Sequence, residues 1–168
     1  MSRPGDEVRR EATGERYVGR RSAEEGGTFE FDYYLCPGAA GPPEHSHDSD
    51  EESFEMVTGT LRVWVDGVER TVRAGDRFRV PPRTRHRFRN DGKEEVHLRI
   101  SFPGPGFERV VDGLLASARA PRGLTNGLRM AVHAREHIGS ARPSSPFLRL
   151  AIHVVGGLGS ALGLRPVA

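Results

Sequence analysis

The sequence predicts a mainly β fold: an antiparallel barrel or sandwich over residues 15–103, then about three α-helices over residues 104–168. Three observations predict it. Short alternating apolar segments recur at roughly ten-residue spacing between Tyr17 and Phe102. Each break between them carries glycine, proline, asparagine or aspartate, the residues that turn a chain. After Pro103 the apolar spacing changes to the helical period.

Residues 1–14 are charged and aperiodic, so a mobile arm is expected there. TFEFDYYL then places Phe29, Phe31, Tyr33 and Leu35 on one face of a strand. PGAAGPPE is a loop, and SFEMVT runs to Gly59, where TLRVWV begins. Asp66-Gly67 is the strongest hairpin signal, because both central residues of a type I′ turn need positive φ. VERTVR returns from it, Ala74-Gly75-Asp76 turns again, and DRFRV runs into Pro81-Pro82. RHRFRN and VHLRISF, separated by Asn90-Asp91-Gly92, complete the β region. GFERVVDGLLASARA, LTNGLRMAVHAREHIG and FLRLAIHVVGGLGSALG follow as helices between Pro, Gly and Ser breaks. Val110, Leu114 and Leu115 mark a stripe on the first, and Leu128, Val132 and Ile138 mark the second. The third brings Gly156, Gly159 and Gly163, whose small surface suits close packing against the barrel or a second subunit.

Composition narrows the function classes. With 168 residues and 36% apolar content, the chain is long enough to bury a core as one domain, or one domain with an appendage. Of 25 basic residues 24 are arginine, Lys93 being the sole lysine; with 21 Gly and 12 Pro this reads as the codon usage of a GC-rich bacterial genome. The basic residues are interleaved with 23 acidic ones and accompanied by few aromatics, which argues against nucleic acid as a partner. Cys36, alone, forms neither an intrachain disulfide nor a cysteine zinc site, so a free thiol in a reducing cytoplasm is expected. No apolar leader opens the chain, and Val154 to Leu164 is too short to span a bilayer, with Arg149 and His153 interrupting its upstream extension. No Ser/His/Asp elbow, phosphate-cradling glycine loop or nicotinamide fingerprint is present.

What stands out is PPEHSHDSDEESFEMVTG. His45 and His47, one residue apart, project to one face of a strand, and Glu52 shares a face with Phe54 and Met56. In RTRHRFRN, alternation turns Thr84, His86 and Phe88 inward and Arg83, Arg85, Arg87 and Arg89 outward. If these strands are neighbours, three imidazoles and one carboxylate converge inside the barrel. Such a set suits Fe(II), Mn(II), Ni(II), Co(II), Zn(II) or Cu(II). Glu51 is the rival carboxylate but points away from Phe54 and Met56, while Asp48, Asp50 and Glu55 read as a solvated face.

These residues resemble the two motifs of the cupin superfamily. GAAGPPEHSHDSDEESFEMVTG is similar to the first, His-x-His, three or four residues, Glu, six residues, Gly, with His45, His47, Glu52 and Gly59 in register. GDRFRVPPRTRHRFRN is similar to the second through Gly75, Pro81, His86 and Asn90. Arg83 stands where that motif usually has a turn glycine, a departure that bears on the local backbone. The resemblance covers roughly residues 15–102. It implies a jelly-roll barrel of six to ten strands with one divalent transition metal in its mouth, iron or manganese favoured and zinc, nickel, cobalt and copper compatible. It also implies His45, His47, Glu52 and His86 as the ligands and a homodimer, and the helical tail is similar to extensions of some small bacterial single-domain cupins.

Other residues carry blander expectations. His133 and His137, four apart, read as a polar helix face, His97 as facing solvent, and His153 as core or interface. Trp64 shares a face with Arg62, covering a subunit contact or half-exposed. Alternation puts Phe54, Met56, Phe78 and Phe88 on the ligand side, joined by Tyr33, so an apolar pocket for a small molecule is expected. The leading expectation is a metal-dependent oxidoreductase resembling the cupin dioxygenases, acting on a small aromatic or enolic molecule, with Glu52 doubling as a base. The alternative is a non-catalytic binder or sensor. A sugar isomerase or epimerase would want basic side chains inside, where these arginines alternate outward.

Overall fold

The computed structural model describes residues 4–10 and 15–167. The strands are β1 (Glu7–Arg10), β2 (Glu15–Arg21), β3 (Thr28–Leu35), β4 (His45–Ser46), β5 (Glu52–Thr58) and β6 (Thr60–Val65). They continue with β7 (Val68–Arg73), β8 (Arg77–Val80), β9 (His86–Arg89), β10 (Val96–Pro103) and β11 (Arg142–Pro143). Two antiparallel sheets face each other, ordered β1-β2-β3-β10-β5-β8 and β11-β4-β9-β6-β7. This is the predicted jelly-roll architecture. β2 to β10 fall within the expected strand number; β1 and β11 are added from either side of the barrel region.

Alternation explains the core. Phe31 pairs with Ile100, Ile100 with Phe54, and Phe54 with Phe78, so one inner face is continuous across four strands. Phe29, Phe31, Leu35, Met56, Leu61, Leu98, Ile100 and Phe102 are sealed from solvent. Each large side chain so buried stabilises the fold by roughly 2 kcal/mol or more. Asp66 (φ 47°) and Gly67 (φ 80°) form the two-residue turn between Val65 and Val68, as predicted. Gly59 needs both its freedoms: φ is +88°, and an added Cβ would lie 2.9 Å from Val96 Cγ2. Asn90 is buried and its amide donates to the carbonyls of Leu35, Cys36 and Glu94, pinning the loop before β10.

The stretch expected to be a mobile arm contributes β1: Glu7–Arg10 pair antiparallel with β2, and Val8 is buried. The sequence hid this strand because four residues show too little alternation to register. Residues 1–3 and 11–14 of that stretch lie outside the described residues.

Three helices follow the barrel: α1 (Gly106–Arg119), α2 (Leu124–Glu136) and α3 (Pro146–Ala161). α1 docks on the sheet through Phe107, stacked at 4.3 Å on Phe102, and through Val111 and Leu115 in the core. The buried Glu108 carboxylate accepts the Ala23 N–H at 3.0 Å, tying α1 to the turn after β2. The stripe on the barrel is thus Val111 and Leu115; Leu114 is 40% exposed. α2 ends at Glu136, short of Ile138, which lies in the following turn. α3 packs against α2 rather than the barrel: a Cβ at Gly156 would meet the Ala131 carbonyl at 2.6 Å, and one at Gly159 the Val132 side chain at 2.8 Å. His133 is buried, not part of a polar face, and its Nε2 contacts the Arg109 carbonyl at 2.9 Å, bridging α2 to α1. His153 is exposed on α3, so it is not core. Among the described residues no helix is long and apolar enough to cross a membrane.

Candidate metal centre

The first histidine sits on β4, a strand of only two residues wedged between β9 and β11, and His47 follows immediately after it. His45 pairs across the ladder with His86 of β9, and Glu52 opens β5 opposite Val80. Of the strands expected to be neighbours, β4 and β9 are; β5 belongs to the facing sheet and brings Glu52 to them from across the barrel. Ligand atoms of His45, His47, Glu52 and His86 all lie within 4.8 Å of one another, and all four residues are buried. The Glu52 Oε2 is 3.1 Å from His47 Nε2 and 2.7 Å from His86 Nε2. Arg83 adopts the left-handed conformation (φ 63°) that its motif position calls for, and its N–H donates to the His47 carbonyl at 2.6 Å. The departure from glycine is therefore absorbed without loss of the turn.

Backbone carbonyls set the protonation pattern. The Nδ1 of His45 faces the Pro43 carbonyl at 2.9 Å and that of His86 the Thr84 carbonyl at 3.1 Å. The Nδ1 of His47 faces the Ser140 carbonyl. A carbonyl only accepts, so each ring carries its proton on Nδ1 and turns Nε2 inward. Three ring nitrogens and a carboxylate then face one another in a buried space, with His86 Nε2 lacking a well-formed hydrogen bond. Lone pairs gathered this closely require positive charge among them, from protons or from a metal ion.

The electrostatics agree. Burial alone would raise the Glu52 carboxyl, but the His47 and His86 imidazoles beside it outweigh burial and pull it down to about 2, so it is ionised. Burial, then the charge of His86, lowers His45 to about 4 and keeps it neutral. Burial also works to lower His86, yet Glu52 outweighs it and raises the imidazole above its ordinary value. A neutral imidazole and an anionic carboxylate are the forms that bind divalent ions. The residues fit a metal.

Of the expected pocket residues, Phe54 and Phe78 border one groove and all but Phe78 are buried. Tyr33, Phe54, Met56 and Phe88 are at most 3% exposed and form the core behind the ligands, Phe54 edge-on to His86 at 6.3 Å. Phe78 stacks on Phe54 at 4.5 Å and borders a second groove lined by Val63, Val65, Val72 and Pro81. The cavity that reaches the centre, of about 210 Å³, touches it through His45. Its other walls include Tyr17, Phe107, Val110, Leu114 and Leu148, four of the five supplied by the helical extension. Sequence reasoning missed this chamber because its walls come from α1, α3 and the segment before β11. The residual signal was the exposed part of the α1 stripe, Val110 and Leu114.

The remaining polar residues are placed away from the centre. His97 lies on the outer face as expected, stacked on Tyr34 at 4.3 Å and 3.0 Å from Asp32. Trp64 is covered by the guanidinium groups of Arg62 and Arg87, at 4.8 and 3.8 Å from its ring. Glu51 and Glu55 pair with Arg79 and Arg77 on the exposed face. Asp48 differs from the solvated role expected of it: Arg142 of β11 grips it with two hydrogen bonds.

Residues 32–102 match the Cupin_2 family, described as a cupin domain, and the match spans all four clustered residues. This chain carries a cupin domain. Polyketide synthase CurC of Streptomyces cyaneus is 39% identical over 71 residues, 40% of this chain and 46% of that protein. Protein SchB of Streptomyces halstedii is 38% identical over 87 residues, 49% of this chain and 62% of that protein. The chain thus spans about half the length of the curated relatives it matches. The cupin domain of Schizosaccharomyces pombe Cnp3 superposes with a TM-score of 0.50 at 21% identity, covering 59% of this chain and 71% of that one. KdgF from Halomonas sp. gives 0.51 at 19% identity, covering 58% and 86%. At such identities the structural likeness speaks for the cupin fold alone.

Proposed function

We propose that this cupin domain holds one divalent transition metal through His45, His47, Glu52 and His86 and serves as a metal-dependent enzyme on a small aromatic or enolic molecule. The observation that carries the reading is the buried cluster itself: three Nδ1–carbonyl contacts turn three Nε2 atoms inward to meet one carboxylate within 4.8 Å. A bound ion supplies Lewis acidity toward an oxygen donor of the substrate. The protein's own part is positioning and exclusion of water. His45 presents one edge of the centre to the chamber, and Tyr17, Phe107, Val110, Leu114 and Leu148 clasp an apolar body there. Among the described residues no arginine or lysine borders this chamber, which disfavours a sugar phosphate and favours an uncharged ring system. The name of the Streptomyces cyaneus relative points the same way, toward substrates of polyketide type. An oxidoreductase of dioxygenase type is the reaction class we favour.

The test is direct. Protein purified without added metal is analysed for bound ions, then assayed with oxygen-uptake electrodes against catechols, flavonols and β-diketones. Stoichiometric metal with substrate-dependent oxygen uptake supports the reading. Metal and tight ligand binding without turnover of any substrate would make this a binding cupin instead, and an absence of metal affinity would sink both.

A further inference from the structure

One half of the candidate centre is held from outside the barrel. β4 is too short to hold His45 and the adjoining His47 by its own ladder, since two residues make few interstrand bonds. Residues 137–145 lie along its free edge as a strap. The Asp48 N–H donates to the Gly139 carbonyl at 2.8 Å, and the Ser144 N–H to the Glu44 carbonyl at 2.8 Å. Arg142 pairs with Ser46, and Pro143 with His45. Between these ties the Ser140 carbonyl takes the Nδ1–H of His47, across 93 residues of sequence. The strap comes close enough that a Cβ on Gly139 would lie 3.0 Å from Asp48 Oδ2.

The clasp beside this contact is directional. Arg142 Nε reaches Asp48 Oδ1 at 2.8 Å and Nη2 reaches Oδ2 at 2.5 Å, a two-point grip that fixes orientation as well as distance. Asp48 adjoins His47, and Arg142 stands two residues past Ser140. The grip therefore sets the separation between the His47 ring and the carbonyl that orients it.

We propose that Arg142 and Asp48 are positioning residues of the centre: their clasp holds the Ser140 carbonyl on His47, locks the ring in its Nδ1–H form, and aims Nε2 at the ion. This rests on the reading of the four clustered residues as metal ligands. Released from the strap, the imidazole can carry its proton on Nε2, and that nitrogen then has no lone pair to offer. Plain electrostatics predicts the reverse outcome, because removing a guanidinium from the neighbourhood of a divalent cation favours the cation. A weakened site after Arg142 is removed therefore reports positioning rather than charge.

The experiment uses the full chain as wild type, Arg142→Ala, Asp48→Asn and the double variant. Arg77→Ala serves as control, since its ion pair with Glu55 is exposed and away from the strap. Co(II), Mn(II) and Zn(II) are titrated singly into metal-free protein. Nitrogen-15 NMR of the imidazoles reads the tautomer of His47, and urea midpoints are measured on the same metal-free samples. Arg142→Ala is expected to weaken Co(II) binding by about tenfold or more and to show mixed His47 tautomers, with a urea midpoint close to wild type. The double variant should be no weaker than the worse single one, and Arg77→Ala unchanged. Where Arg142→Ala folds poorly, Arg142→Lys keeps the charge and loses the fork, and the same weakening is expected. Wild-type affinity with an unaltered His47 tautomer in a folded Arg142 variant overturns the proposal. If the wild type takes up none of the three ions, the metal reading falls. The tautomer comparison between wild type and Arg142→Ala then decides by itself whether the strap positions the ring.

Discussion

His86 and Glu52 are held by the barrel, whereas His45 and His47 depend on what lies against it. His86 sits in β9, its Nδ1 against the carbonyl of a residue two positions earlier, and Glu52 opens a seven-residue strand paired to β8 and β10. β4, by contrast, is two residues long and has its free edge covered by β11, and His47 is oriented by a carbonyl from beyond α2. The carbonyl that orients His45, that of Pro43, is as local as the one on His86, so the contrast in range lies in the strand edge under His45 and in the carbonyl on His47. Local alternation secures the first half. Docking of the extension secures the second, and the same extension supplies most of the chamber wall.

That contrast can be broken in graded steps. The largest effect is expected from His86→Ala in the barrel half, which should cut affinity for divalent ions by more than about a hundredfold, exceeding what loss of an orienting contact causes. Isothermal titration with Co(II) checks it, and retained affinity would mean the four residues are not a ligand set. Next comes Phe107→Ala, which removes the ring stacked on Phe102 and edge-on to His47. It should cost about 3 kcal/mol in urea denaturation and weaken metal binding as well, whereas a comparable core truncation far from the strap lowers stability alone.

A smaller effect marks the outer face. Burial pushes the Asp32 carboxyl up, but hydrogen bonds from His97 and Arg20 outweigh it and hold it below the usual carboxylate value. A carboxyl with a depressed folded pKa contributes stability that is present above its unfolded value, near 3.9, and lost as pH falls through the folded one. Asp32→Asn should therefore cost about 1 kcal/mol at pH 7, and its gap from wild type should close in acid, as read from urea midpoints at pH 7, 5 and 3. Metal affinity at pH 7 should not change, because this cluster belongs to neither half of the centre. The smallest effect is expected from Arg83→Gly. Relief of the left-handed conformation should stabilise by about 1 kcal/mol or less, with the Arg83 N–H contact to the His47 carbonyl kept and metal affinity unaltered. A marked destabilisation would show that the Arg83 side chain does more than occupy a turn.

Several features were legible for definite reasons. Strand faces follow from a period of two, so Phe29, Phe31 and Leu35 were placed correctly as core, and Asp66-Gly67 could only close a two-residue hairpin. The four clustered residues were legible because their spacing repeats a family pattern and because His86 falls in phase with Phe88 on an inward face. β1 was illegible because four charged-flanked residues carry almost no periodic signal. The burial of His133 was illegible because an i, i+4 pair reads the same whether its face meets water or another helix. Asp48 looked like one more member of an acidic run until a partner 94 residues away was brought to it.

The sequence by itself determined the strand-rich barrel region, the three helices after it, and the inward faces of its strands, because periodicity and turn chemistry act over a few residues. The grouping of His45, His47, Glu52 and His86 was legible through the resemblance of their spacing to a family pattern. Only the tertiary structure decided that α1 and α3 wall the chamber beside His45, that α3 packs on α2, and that the Ser140 carbonyl orients His47. Those contacts join segments tens of residues apart, and no local propensity encodes which surface a docked helix or strap will meet; burial of its apolar face and pairing of its backbone groups settle that in three dimensions.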